Sequence, residues 1–176
     1  MHLIIDGYNL LAVTEGTGAL AGHSHIARES LLGKLAGYRH RKGHALTVVF
    51  DGWQTGQPSE GREHRAGLQV IYSKRGERAD QVIQRLAREY GSECAVVSSD
   101  HEIVNAAQAH GALVMRAQEF AQKLHMSVSL EGSSSIPYKE LAFDDRLSPR
   151  RGPEKKGNPR KLPKSERRRS RQLKRF

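Results

Sequence analysis

The chain holds one cysteine, one tryptophan, four phenylalanines and five tyrosines in 176 residues, and it has no long apolar run. A lone Cys94 rules out a disulfide framework and suits a reducing compartment; lying inside an apolar stretch, it reads as a small buried hydrophobe. No segment approaches the roughly 20 apolar residues needed to span a bilayer, and no charged leader precedes a hydrophobic region, so the expectation is a soluble, cytoplasmic protein. Zinc sites are disfavoured by the missing Cys cluster and HExxH spacing. The glycine-bearing "GTGAL" and "GHSH" lack the Lys-Ser/Thr ending of a phosphate-binding P-loop.

Acidic residues are scarce in one region. Residues 146–176 carry 14 Lys and Arg against two acids, whereas residues 1–145 carry 15 basic and 17 acidic groups. The net charge of +10 is therefore a mildly acidic body joined to a strongly basic tail. Rich in Arg, Lys and Pro, that tail has too little apolar surface to order itself and is expected to be disordered. The pattern of the body fades near Leu130, which places a compact domain at 1–130 and a linker with the basic tail at 131–176.

Within the body, short apolar runs alternate with helical periodicities. "HLIID", "ALTVVFD", "LQVIYS", "ECAVVSSD" and "ALVMR" read as five strands. A Gly-rich connection follows the first, and Ile26, Leu31, Leu35 and Tyr38 then mark a helix ending at Gly43. "ADQVIQRLAREYG", "HEIVNAAQAHG" and "AQEFAQKLH" give three more helices, and "GWQTGQPSEGREHRAG" reads as a mobile loop. Five strands alternating with helices predict an α/β fold, a mostly parallel five-stranded sheet covered on both faces in three α/β/α layers.

In such a sheet the ligand site lies outside the carboxyl ends of the strands. Asp6, Asp51 and Asp100 end strands, Asp80 opens the helix after the third strand, and Glu77 stands one turn earlier, so five acids meet at one edge. Any one of them also suits a structural role: Asp80 before "QVIQRL" and Asp100 before "HEIV" both fit helix N-caps. Together, crowded carboxylates raise one another's pKa values unless a cation lies between them. Oxygen-only ligation favours Mg²⁺ or Mn²⁺, and such ions can drive hydrolysis of a phosphodiester.

"IDGYNLL", "VVFDG", "ERADQVI" and "VVSSD", in that order, resemble the YacP-like branch of the NYN domains, within the wider PIN-like nuclease fold. The resemblance covers roughly residues 1–125. It implies a Mg²⁺- or Mn²⁺-dependent endoribonuclease with Asp6, Asp80 and Asp100 as the metal-binding, catalytic acids. Asn9 would orient water or phosphate, and Asp51 matches the strand-end acid of the branch as a further ligand. One bacterial member is a ribosome-associated endoribonuclease that cuts messenger RNA in the A site, which makes RNA the implied substrate and the ribosome a candidate partner. The long basic tail and Arg78 inside "ERAD" depart from the pattern.

Arg62, Arg65, Lys74, Arg75 and Arg78 bracket the third strand and are candidate contacts for an RNA backbone. The tail adds sequence-independent, salt-sensitive attraction to phosphates, with only Phe176 available for stacking. Trp53 either stacks an unpaired base or packs against its own loop, and Tyr8 packs beneath the site or offers its hydroxyl there. His101, next to Asp100, is unnecessary as a base if a metal activates water. The same residues also fit two rival readings: a non-catalytic RNA- or ribosome-binding protein, and a metal-dependent phosphatase or DNA nuclease.

Overall fold

A computed structural model describes residues 1–15, 25–52 and 58–129, with side chains to Met126. The readings of Trp53, of the glycine motifs at 16–24 and of the linker and tail at 131–176 lie outside these residues. The elements run β1 (His2–Asp6), α1 (Gly7–Glu15), α2 (His25–Lys42), β2 (Ala45–Phe50), β3 (Gly61–Arg65), β4 (Leu68–Tyr72), α3 (Ala79–Tyr90), β5 (Cys94–Val97), α4 (His101–Ala109), β6 (Leu113–Met115) and α5 (Ala117–Ser129).

One sheet has the order β3-β4-β2-β1-β5-β6, parallel throughout except for the antiparallel edge pair β3–β4. The two-residue period of the strands divides their side chains between two cores. Leu3, Ile5, Val48, Phe50, Val70 and Val97 face a cluster with residues of α1, α2 and α5, whereas Ile4, Val49, Ile71 and Val96 face residues of α3 and α4. Burial on both faces explains why the strands read as continuous apolar runs. Each fully buried Leu, Ile, Val or Phe contributes about 1.5–3 kcal/mol, and Leu3, Ile4, Ile5, Val48, Val49 and Phe50 all have no exposed surface.

The connections determine where a site can form. From β1 the chain moves through α1 and α2 to β2 and onward to β4, and α3 then carries it back to β5 on the other side of β1. The strand order reverses at β1, which makes the carboxyl ends of β1 and β5 the place where a sheet of this kind binds its ligand.

The structure departs from the sequence reading in three places. A sixth strand, β3, lies within the stretch expected to be a loop; its residues "GREHR" are mostly exposed and carry no apolar alternation to announce a strand. Hydrogen bonding to the edge of β4 forms it, with Gly61 opposite Tyr72 and Arg65 opposite Leu68. Helix α1 begins directly after Asp6, where a Gly-rich connection was expected, because burial of Leu10 and Leu11 outweighs its glycine start. Finally, Ile26 is 79% exposed and does not join the α2 stripe, which begins at Leu31 and continues through Leu35 and Tyr38. Cys94 is buried as expected, with burial pushing its thiol up to about 11.

Candidate nuclease site

Asp6 occupies the switch point. It ends β1, and its Oδ1 accepts the Asn9 N–H at 3.1 Å, which caps the first turn of α1. Its Oδ2 accepts the Ser98 hydroxyl at 3.1 Å from the end of β5. With 8% of its surface exposed, the carboxyl is pushed up to about 6; burial is the main cause, opposed by the Asn9 and Ser98 hydrogen bonds and reinforced by the charges of Asp80 and Asp100. Asn9 is tied to the same corner, its side-chain oxygen accepting the Ser99 N–H at 3.1 Å.

Asp100 is a helix cap as well as an edge acid. Its Oδ1 accepts the Glu102 N–H at 2.7 Å at the start of α4. Asp80 makes no such cap: it stands at the second position of α3, where Arg78 precedes the helix and Gln81 Oε1 accepts the Arg78 N–H at 3.2 Å. The Asp80 carboxylate pairs with Arg78 Nη2 at 2.7 Å. Burial raises the Asp80 pKa, Arg78 lowers it, and Asp100, Asp51 and Glu102 raise it. Asp51, just past β2, accepts the Ser73 hydroxyl at 2.9 Å, and Ser73 Oγ in turn accepts the Gly52 N–H at 3.0 Å.

Asp6, Asp80 and Asp100 therefore stand within electrostatic reach of one another, and Asp51 joins them at the same edge through its effect on Asp80. Glu77 is turned aside: Arg85 holds it at 2.7 Å and also binds Glu60. Among the described residues, no three His, Cys, Asp or Glu side chains converge as a ready-made ion-binding set. Lys74 and Arg75 are exposed in the connection from β4 to α3, at the carboxyl end of β4. Arg62 pairs with Glu60 at 2.7 Å. Arg65 sits opposite Leu68 at the far end of β4 and pairs with Glu29 and Glu63. Tyr8 packs edge-on to Phe50, with ring centroids 5.3 Å apart, and His101 is an exposed first residue of α4.

Ser98 was missed in the sequence. It is fully buried, donates a hydrogen bond to Asp6 and accepts the Asp100 N–H at 3.1 Å, so one hydroxyl fixes two of the acids. The only signal was the doubled serine of "VVSSD". Because the Ser98 hydrogen bond lowers the Asp6 pKa, Ser98→Ala is expected to raise it further and to cost about 1–3 kcal/mol for the buried groups left unpaired. Carbon-13 titration of the Asp6 carboxyl with urea unfolding checks both parts; an unmoved titration would show that the hydroxyl does not hold the acid.

A three-layer α/β domain with aspartates gathered at the switch point of a parallel sheet has the layout of a nuclease-type domain. The chain belongs to the YacP-like NYN domain family, whose sequence profile matches residues 3–151. It is 31% identical over 127 residues to the uncharacterized protein YacP of Bacillus subtilis, covering 69% of this chain and 74% of that one. Two crystal structures of Rae1 (YacP) from the same organism share the fold. One, of a mutant in which leucine replaces a tryptophan, matches with a TM-score of 0.61 at 28% identity, over 73% of this chain and 77% of that one. The other matches with a TM-score of 0.61 at 26% identity, over 75% and 78%. NYN domains are nuclease-type hydrolases, and the relationship supports a nuclease-like, RNA-related function. No described helix is long and apolar enough to cross a membrane.

Proposed function

We propose that this protein is a divalent-metal-dependent endoribonuclease whose acids are Asp6, Asp80 and Asp100, with Asp51 as a further ligand and Asn9 positioning water or phosphate. The observation that carries the reading is Asp6, a carboxyl buried at the switch point and pushed up to about 6 beside two further acids. An all-oxygen set of crowded carboxylates fits a hard cation such as Mg²⁺ or Mn²⁺. When bound, such an ion would neutralise the set, activate water and offset charge on the phosphoryl oxygens. Ser98 and Asn9 fix the corner in which Asp6 stands. Arg78, released from Asp80, would be free to contact a substrate phosphate, with Lys74 and Arg75 along the same edge. The charge of residues 146–176 adds affinity for RNA, and the family resemblance supports messenger RNA on the ribosome as the physiological setting in the cytoplasm.

A labelled single-stranded RNA, offered to wild-type and Asp80→Asn protein with Mn²⁺, with Mg²⁺ or with chelator, and again with translating ribosomes, tests this directly. Wild-type cleavage is expected with metal only, and Asp80→Asn is expected to bind RNA but not cut it. Binding without metal-dependent cutting under every condition would leave an RNA-binding module. Preference for DNA or small phosphate esters would move the substrate class.

A further inference from the structure

We propose that a cavity beside Asp51, between the first turn of α2 and the β3–β4 hairpin, is a nucleotide subsite that stacks one unpaired base on Tyr72 and takes its phosphate on Arg28. This rests on the RNA-substrate reading and adds to it a binding position outside the acidic cluster. The cavity measures about 210 Å³, and its walls include Arg28, Ser59, Glu63, Arg65, Tyr72 and Ser73. Ser73 joins it to the acids, because the same residue that lines the cavity donates its hydroxyl to Asp51 at 2.9 Å.

An aromatic row leads to the cavity under the carboxyl edge. Tyr8 meets Phe50 edge-on, and Phe50 stacks on Tyr72 with centroids 5.9 Å apart and planes inclined at 23°. Phe50 is fully buried, whereas Tyr72 is half-buried and its uncovered surface lines the cavity. A base placed there would continue the row by one ring, and every base has the π-face that such stacking needs.

Charge in the cavity favours a single phosphate contact. Arg65 is paired with Glu29 and Glu63, and His25 lies 3.6 Å from Glu29. Arg28 remains as the lining cation that pairs with no described carboxylate at salt-bridge distance, and it lies within electrostatic reach of Tyr72. The Ser59 and Tyr72 hydroxyl groups supply polar partners for a base edge. Because stacking does not read sequence, the subsite is expected to require an unpaired nucleotide and to tolerate any base.

The test uses full-length protein in chelator, so that binding is measured without cleavage. Single-stranded oligoribonucleotides carry 2-aminopurine at one position at a time. Wild type and Tyr72→Phe are expected to quench the fluorescence strongly at one position. Tyr72→Leu is expected to abolish that quench and weaken binding about tenfold or more, and Arg28→Gln to weaken it several-fold. Unchanged affinity and quench in folded Tyr72→Leu overturn the subsite. If that variant fails to fold, Arg28→Gln carries the decision, and unchanged affinity there overturns it. A lost quench without any Asp80-dependent cleavage keeps the subsite and removes the enzyme; a retained quench with Asp80-dependent cleavage does the reverse.

Discussion

Asp6→Asn protein is expected to cut RNA at least about 100-fold more slowly than wild type, exceeding the roughly 10–100-fold effect of outer-shell partners, while unfolding no more easily at pH 8. The second half follows from the burial of the acid. The Asp6 carboxyl titrates near 6 in the fold, against about 3.9 for an unfolded aspartate. A raised folded pKa means that the native state holds the proton more tightly than the unfolded chain. Stability linked to that proton is complete below about pH 4, falls as pH rises toward 6, and stays low above it. The two-unit difference corresponds to about 2–3 kcal/mol. Asparagine keeps the shape and can still accept the Asn9 N–H, but it carries no buried charge. The variant should therefore match wild type at pH 4 and equal or exceed it at pH 8 in urea unfolding. Saturating Mn²⁺ should recover much of the difference for wild type alone, since a ligand at 100 times its Kd adds about 2.7 kcal/mol. Undiminished cleavage by the variant would remove Asp6 from the chemistry. Destabilisation at pH 8 would mean that the Ser98 and Asn9 bonds already outweigh the cost of the charge.

The main outline of this corner was legible because its acids end apolar runs, and a parallel sheet gathers such ends at one edge. Local sequence did not separate the roles of Asp80 and Asp100, each of which looked like an acid opening a helix. The difference arises from the chain's approach to α3: Gly76 takes a φ of 82°, Arg78 takes the extended cap position before the helix, and Asp80 falls at the second helical position. Ser98 and Ser73 were hidden for another reason, since each acts on an acid 92 or 22 residues away, and a hydroxyl in an apolar run carries no periodic signal. Glu77 was placed with the acids by sequence proximity, yet its partner Arg85 lies on the next two turns of α3 and draws it toward Glu60. Strand β3 shows the complementary case: the edge of β4 supplies its hydrogen bonds, so its own residues need no apolar pattern.

Gly52→Ala is expected to cost about 3 kcal/mol or more, at or beyond the upper end of the usual overpacking range, and to lower activity through Asp51. Asp-Gly occurs twice at strand ends, at 6–7 and at 51–52, and neither glycine has positive φ. The requirement is space. A Cβ on Gly52 would lie 2.1 Å from the Ser73 carbonyl oxygen. That carbonyl is backbone, and Ser73 is held to β2 by its N–H to the Phe50 oxygen at 3.1 Å and by its hydroxyl to Asp51. Relief therefore requires the ends of β2 and β4 to part, which pulls Asp51 away from the other acids. On Gly7 a Cβ would meet the Phe50 ring at 2.4 Å. A side chain can yield where a backbone cannot, although Phe50 is confined between Tyr8 and Tyr72. Urea unfolding should therefore rank Gly52→Ala as the more damaging change, with Gly7→Ala shifting the aromatic row and weakening RNA binding at Tyr72 more than it weakens the fold. If Gly52→Ala proved neutral, the ends of β2 and β4 would have to separate without cost, and the hydroxyl link from Ser73 to Asp51 could not be what positions that acid.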